Sequence, residues 1–475
     1  MAGLIIGRGN VVDERLRIHT PPFAGEGSLD AGLLRLQHFD RAPNDEERAE
    51  WLFQVLPDGI WKGRRCFIVG GGPSVKKFDL TRLRGELVIA LNNSFAHIDY
   101  PTILFSIDDC YWGQLELGDK HPTPLDPAII KAYKTTKAFK VWVDITKTGY
   151  PSDDILKVRF VGHSAFSQSL YCGLGCGENT GYAAINLAYC LGVSELYLLG
   201  YDMQTDADRT HWHEGYGDAG RIPNMWTYKR FLSFFPHIKN HLECPMRIIN
   251  LNPDSALREF AFGKQEDIPH IKRPLVVSFY TTDGYEEIYK SSLEFGLRRF
   301  GLEHDVEAVA PFDSWYSATR YKAEFIQRKL CEHPDRDILW LDVDSRIVAY
   351  PALFDDWNCA DVGVHKIDWS LYSGISRNDT ELDSAVMYFR NNSAVRSLLK
   401  RWIEINKERA QRNDILEQRN LDDALQELNT VVSVVQLPAE YCCIFDLMRE
   451  RVEDPVILQM QASRQTRDRK KLNAN

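Results

Sequence analysis

Two aspartates one residue apart, Asp342 and Asp344, follow the apolar run Ile338 to Leu341 in a chain of 475 residues. The run reads as a buried strand, and side chains two apart on a strand share a face. The pair is therefore expected to project its carboxylates together at the strand's C-terminal end. Two carboxylates on one face need a cation. Mg2+ or Mn2+ suits them, because a hard ion takes a few carboxylate oxygens and completes its shell with water and substrate phosphates. The competing reading is a strand end with solvated acids, and the surrounding elements decide between the two.

Those elements must come from globular domains. The chain is 44% hydrophobic and 11% aromatic, and its length exceeds one ordinary domain, so two domains of similar size are expected. A net charge of -10 and a pI near 5.8 argue against a broad electrostatic grip on nucleic acid or anionic membrane. No apolar run approaches the roughly eighteen residues of a membrane span, and the first residues lack a signal-peptide core. Ten cysteines without a Cys-x-x-Cys pair suit reduced thiols. A soluble, cytoplasmic protein is expected.

Residues 1–60 form an extension in which Asp45 to Val55, with Trp51, Leu52 and Val55 on one face, reads as an amphipathic helix. The strand Cys66 to Val69 then runs into Gly70-Gly71-Gly72-Pro73-Ser74, where glycines allow backbone N–H groups to approach a phosphate and Ser74 adds a hydroxyl. The strand Leu87 to Leu91 ends in Asn92-Asn93, and Thr102 to Ile107 ends in Asp108-Asp109. Polar residues thus recur at strand C-termini, the edge where open α/β sheets bind ligands. Gly177 to Tyr182, including Thr180, opens a small-residue helix that stops at Gly192, and the strand Glu195 to Leu199 leads to Gly200-Tyr201-Asp202. The following loop gathers Asp206, Asp208, His211, His213 and Glu214, and an imidazole there can take a proton from a hydroxyl.

In this order, from roughly Gly63 to Leu251, the motifs resemble a Rossmann-like group that includes bacterial sialyltransferases, 6-hydroxymethylpterin pyrophosphokinases and many phage and bacterial proteins. The resemblance implies a nucleotide-binding domain over 61–252. Gly70, Gly71, Gly72, Ser74, Asn92, Asp108 and Thr180 would line one cleft, with His211 or His213 as general base. Its phage members raise a phage source, hence a host cytoplasm, and a modified nucleic-acid acceptor as alternatives.

Residues 253–273 lose periodicity and gather Pro253, Gly263 and Pro269, which marks a linker. A second domain over 274–455 opens with an apolar strand ending in Tyr280-Thr281-Thr282. A helix Tyr285 to Phe300, a strand Asp305 to Val309 and a helix Trp315 to Leu330 bearing Arg320 and Lys322 follow, then the strand carrying Asp342 and Asp344. Val362 to Lys366 and Glu381 to Arg390 read as further strands, the second bearing Asp383 and Ser384. Ser393 caps a helix to Arg409, and Asn420 to Gln426, with Asp422 and Asp423, reads as a helix start. The tail from 456 to 475, rich in Arg and Lys between Ser463 and Lys471, reads as solvated.

This ordered set resembles the nucleotide-diphosphosugar glycosyltransferases of GT-A type. The resemblance implies that Tyr280, Thr281 or Thr282 meets the nucleotide base, that Arg320 and Lys322 hold the donor, and that Asp342 and Asp344 bind the metal on its diphosphate. Asp383, Ser384, Asp422 or Asp423 would face sugar or acceptor, the aspartates orienting or deprotonating a hydroxyl. Ala385 departs from the glycine of many relatives. The fold expected is α/β, two Rossmann-like domains, the second of GT-A type with a mostly parallel central sheet. The function expected is metal-dependent transfer from a nucleotide-diphosphosugar to a hydroxyl of a glycan, a small molecule or a modified nucleic acid. A second nucleotide-binding or transferase domain would precede it. The alternatives are a pyrophosphokinase or a nucleotidyl or sialyl transferase seated in the N-terminal half, and a non-enzymatic scaffold of degenerate transferase folds.

Overall fold

The structure is a computed structural model that describes residues 4–6, 10–12, 51–145, 152, 154–205, 211–213, 225–372, 380–412, 415–448 and 450–462. Asp206, Asp208, Glu214, residues 45–50 of the expected first helix and the basic residues after Ala462 lie outside the described residues. Of that helix, Leu52–Val55 is described. The molecule forms two compact units, 51–269 with Arg298–Gly301, and His270–Leu297 with 302–462.

The first unit is built on nine strands: β1 (Arg65–Val69), β2 (Leu87–Leu91), β3 (Ile103–Ser106), β4 (Phe139–Asp144), β5 (Ile155–Gly162), β6 (Leu174–Gly175), β7 (Glu195–Leu199), β8 (Arg247–Asn250) and β9 (Ala261–Phe262). They pair in the order β9-β8-β7-β1-β2-β3-β4-β5-β6, every pair parallel. Strands buried on both faces must be apolar throughout, and Leu87–Leu91 is buried at every position. One face is packed by Trp112, Tyr133 and Trp142 against Phe67, Val88 and Leu104. Helix α1 (Asp109–Leu117) follows β3, and α2 (Thr180–Cys190), buried except at Thr180, lies on the sheet through Ala183, Ala184 and Ala188. Buried Asn186 of α2 is satisfied by Ser167 N–H (2.9 Å) and Gly175 N–H (3.0 Å), and it donates to Ser167 O (2.7 Å). The chain lays strands outward from β1 in one direction, then returns to build β7 to β9 on its other side. That reversal leaves a crevice at the C-terminal ends of β1 and β7.

The second unit has a six-stranded sheet made of β10 (Leu275–Thr281), β11 (His304–Val309), β12 (Ile338–Leu341), β14 (Val362–Asp368), β15 (Thr380–Phe389) and β16 (Val434–Gln436), in the order β11-β10-β12-β15-β14-β16. Only β15 runs against its neighbours, so the sheet is mostly parallel. A small side sheet joins β13 (Ser345–Ile347), β18 (Ile457–Gln459) and β17 (Cys443–Ile444). Helix α3 (Met225–Leu232) belongs to the first unit; α4 (Trp315–Glu332), α5 (Ser393–Glu408) and α6 (Glu417–Glu427) cover the second sheet. Phe325, Trp340, Leu399 and Trp402 fill the space between them.

The α/β class is as the sequence leads one to expect, with local differences. The segment Tyr285 to Phe300 is not one regular helix: a π-helical turn, Lys290–Glu294, separates Tyr285–Tyr289 from Phe295–Arg299. Such a turn adds a residue and re-aims the face that follows. Asn392, not Ser393, caps α5, its Oδ1 accepting from Val395 N–H at 2.9 Å. Helix α6 starts at Glu417, so Asp422 and Asp423 sit in its body rather than at its start. Among the described residues, no helix is long and apolar enough to cross a membrane.

Candidate functional site

In the first unit a cavity of about 440 Å3 opens at the C-terminal ends of β1, β2, β3 and β7. Gly70, Gly71, Gly72, Asn92, Asp108 and Thr180 line it, and His211 and His213 close one side. Asn92 adopts a left-handed φ of 49°, uncommon without glycine, and its Oδ1 is enclosed with no hydrogen-bond partner among the described residues. Asparagine is, after glycine, the residue that best tolerates this backbone region. Asp108 caps α1, accepting from Cys110 N–H at 2.9 Å and Tyr111 N–H at 3.3 Å. Burial pushes both His211 and His213 below the usual histidine range, His213 to about 3 with the neighbouring imidazoles of His211 and His97 adding to the fall. His97, which stacks on His213 at 5.6 Å, carries no signal in the local sequence.

Ser74 stands apart from this cavity. Its hydroxyl and its N–H (2.8 Å) both donate to Asp202, whose carboxylate also accepts from Asn252 Nδ2 at 2.9 Å. Two of the three glycine N–H groups expected to cradle a phosphate are engaged in the same way. Gly70 N–H donates to Leu199 O (2.8 Å), Gly72 N–H to Gly200 O (2.9 Å), and Pro73 has no N–H to give. The glycines are needed for close packing: a Cβ on Gly72 would sit 2.6 Å from Gly200 O, and one on Gly71 would sit 2.6 Å from His211 Cδ2. The turn is therefore tied to the end of β7. Ser74→Ala, which removes one charge-assisted hydrogen bond to Asp202, is expected to cost about 1.5–3 kcal/mol in urea unfolding.

In the second unit the two aspartates are not on the strand. Strand β12 ends at Leu341, and a tight turn closed by Ser345 N–H to Asp342 O (2.9 Å) carries Asp342 and Asp344. Both are partly exposed. Asp342 accepts from Trp340 Nε1 (2.9 Å) and pairs with Lys322 Nζ (2.8 Å), while Asp344 accepts from Ala462 N–H (2.7 Å). Lys322 is buried and also reaches Glu417 (3.3 Å) and Ser384 Oγ (3.3 Å). Burial opposes its charge, but Asp342 and Glu417 more than reverse that and hold it above the usual lysine range. Ser384 Oγ donates to Glu417 at 2.6 Å.

Asp383, on the opposite face of β15 from Ser384, is buried and pushed up to about 7 by that burial, against the Ala385 N–H that holds it down, with Asp342 adding to the rise. The protein packed round Asp344, and then the charge of Asp342, push Asp344 up as well. Asp383 Oδ2 and Glu417 Oε2 are enclosed without hydrogen-bond partners among the described residues. Two carboxylates, Asp342 and Glu417, thus contact one ammonium, and Asp344 and Asp383 lie near enough to feel its charge. Asp342 and Asp344, partly exposed and offering only oxygen, are donors of the kind a hard divalent cation takes.

Other expected participants are engaged elsewhere. The Arg320 guanidinium donates to the carbonyls of Ala410 (2.8 Å) and Arg412 (2.6 Å), pinning the segment between α5 and α6 rather than a diphosphate. Asp422 pairs with Lys366 (2.6 Å) and Asp423 with Arg409 (2.6 Å), which neutralises both. Tyr280 stacks on Tyr289 at 5.1 Å, Thr281 ends β10, and Thr282 opens the turn after it. Asp305, Glu332 and His333 lie close enough to share a metal, but Lys329 Nζ already pairs with Asp305 (2.6 Å) and Glu332 (2.9 Å). Glu417 was not among the expected residues. Its signal is a charged residue on the stripe Leu421 and Ala424, at i, i+4 and i+7, that α6 buries.

Among solved structures, the chain is similar to a glycosyltransferase involved in the glycosylation of the major capsid of PBCV-1, with 17% identity and a TM-score of 0.32, over 41% of this chain and 98% of that one. It is also similar to the glycosyltransferase GlyE of Streptococcus pneumoniae TIGR4 in two structures. The apo form shows 14% identity and a TM-score of 0.27, and the other 11% and 0.26. Each covers 40% of this chain, which spans about half, 54%, of the pneumococcal chains. No family model and no curated protein matches the chain. At these TM-scores the likenesses carry no weight for function.

Proposed function

We propose that the second unit is a glycosyltransferase that moves a sugar from a nucleotide-diphosphosugar to an acceptor hydroxyl. The observation that carries this reading is the acidic pair Asp342 and Asp344 on the turn after a central strand, with Lys322 joining Asp342 to Glu417 and Asp383 close by. A mostly parallel sheet with its acidic pair after a central strand is what the GT-A resemblance implies. Asp342 and Asp344 would hold Mg2+ or Mn2+, which supplies Lewis-acid neutralisation of charge on a leaving nucleoside diphosphate. Lys322 orients Asp342 and, with Glu417, fixes the hydroxyl of Ser384, so it acts on the carboxylates rather than on the donor. Asp383, close to this pair, would take the acceptor's proton as general base.

The test is turnover of a panel of UDP-, GDP-, CDP- and dTDP-sugars by the full chain. Mn2+-dependent release of the nucleoside diphosphate, stopped by EDTA, is expected. A panel in which no member is bound or turned over sinks the reading. A pyrophosphokinase seated in the first unit has less support, because the N–H groups of Gly70 and Gly72 are bonded to the end of β7 and the Ser74 hydroxyl to Asp202.

A further inference from the structure

We infer that Tyr289 is a positioning residue for the base of the nucleotide, its ring holding that of Tyr280 beside the acidic turn, and that the π-helical turn after Tyr289 sets it there. The inference rests on the transfer reaction proposed above and adds to it a residue from outside the strand ends.

Tyr280 is next to last in β10, and β10 pairs in parallel with β12, Val277 opposite Trp340. Carried on past the end of β12 at Leu341, that register sets Tyr280 level with the turn that bears Asp342 and Asp344. Neighbouring strands lie about 4.8 Å apart, so Tyr280 stands beside the turn that would hold the diphosphate. Its ring and that of Tyr289 are 5.1 Å apart between centroids and 13° from parallel, an offset stack. The stack covers one face of Tyr280, which is only part-buried. A nucleobase is a flat π-system that stacks on such a ring whatever its identity.

The π-helical turn accounts for where Tyr289 points. Beyond it Leu293, Leu297 and Phe300 make a buried stripe at i, i+4 and i+7. In an unbroken α-helix Tyr289, four residues before Leu293, would continue that stripe into the core. The wider turn Lys290–Glu294 takes about one residue more, which brings Ile288 into line with Leu293 and turns Tyr289 aside. There it meets Tyr280, on the face of β10 opposite the core residues Leu275, Val277 and Phe279. The helix after the turn is fixed to β13, the strand that leaves the acidic turn. Arg346 Nε donates to Ser292 Oγ at 3.4 Å, and a Cβ on Gly296 would sit 2.9 Å from Ile347 Cβ. The tyrosine pair and the aspartates are thus held on connected segments.

The experiment titrates the full chain, by calorimetry with Mn2+, with UDP, GDP, CDP, dTDP and inorganic pyrophosphate. For the tightest-binding nucleotide, Tyr280→Ala is expected to weaken binding about tenfold or more and Tyr289→Ala about fivefold. Tyr289→Phe keeps the ring and should stay within about twofold. Pyrophosphate has no base, so its affinity should be the same in all three variants as in the wild type. The double variant Tyr280→Ala/Tyr289→Ala should lose little more than Tyr280→Ala alone, because Tyr289 acts through Tyr280. Unchanged nucleotide affinity in Tyr289→Ala, an equal loss with pyrophosphate, or additive losses in the double variant overturns this inference and leaves the transfer reaction standing. If none of the four nucleotides binds the wild type, both are overturned.

Discussion

Asp344→Asn should make the metal-free protein melt higher while removing the stabilisation that Mn2+ and a nucleoside diphosphate confer together. The two effects have opposite signs and one cause. The Asp344 carboxylate is crowded by protein and by the charge of Asp342, so with no cation present its ionised form costs stability. The amide keeps an oxygen for the Ala462 N–H and sheds the charge. A gain on the order of 1 kcal/mol follows, since one pKa unit is about 1.4 kcal/mol and solvent still reaches part of the group. The same change removes one of the two protein ligands proposed for the metal. Sugar transfer should then fall by about a thousandfold, or about 4 kcal/mol of transition-state stabilisation. Melting curves with and without Mn2+ plus UDP, beside single-turnover rates, check both halves. A variant that melts lower without metal would show that the carboxylate serves the fold.

Lys322→Ala is expected to be the most destabilising single change at this site. It leaves Asp342 and Glu417 facing each other without the ammonium that both contact, and breaking a buried pair from one side costs about 3–5 kcal/mol. Removing the other side as well should recover part of the loss, because Lys322→Met with Glu417→Leu replaces charge by packing against Trp340 and Trp402. The single variant should lower the apparent melting temperature by about 10 °C. The double variant should melt above Lys322→Ala although it carries one more substitution. Additive losses would contradict the charge coupling of these two residues.

The strands of both sheets were legible because a strand covered on both sides is apolar throughout, as in Leu87 to Leu91 and Ile338 to Leu341. The residues round the first cavity were legible as polar groups at strand ends, a position that topology alone makes ligand-facing. A turn, not a shared strand face, presents Asp342 and Asp344. Other roles depended on partners distant in sequence. Nothing local to Asp422 reveals Lys366, and nothing local to Ser74 reveals Asp202, 128 residues on. Glycines in a turn announce a close approach without saying to what, and here it is the end of β7 and His211. Arg320 and Lys322 looked alike in the sequence, yet two residues on a helix point nearly opposite ways. Lys322 faces the carboxylates, and Arg320 faces the loop after α5.

The most direct measurement is Mn2+ binding to the full chain by electron paramagnetic resonance, with UDP, GDP, CDP and dTDP each added in turn. Loss of the free Mn2+ signal is expected with at least one nucleoside diphosphate, and the signal should return in Asp342→Ala/Asp344→Ala whose circular dichroism matches the wild type. Binding that survives the double substitution, or no binding with any of the four, contradicts a metal-diphosphate site at this turn.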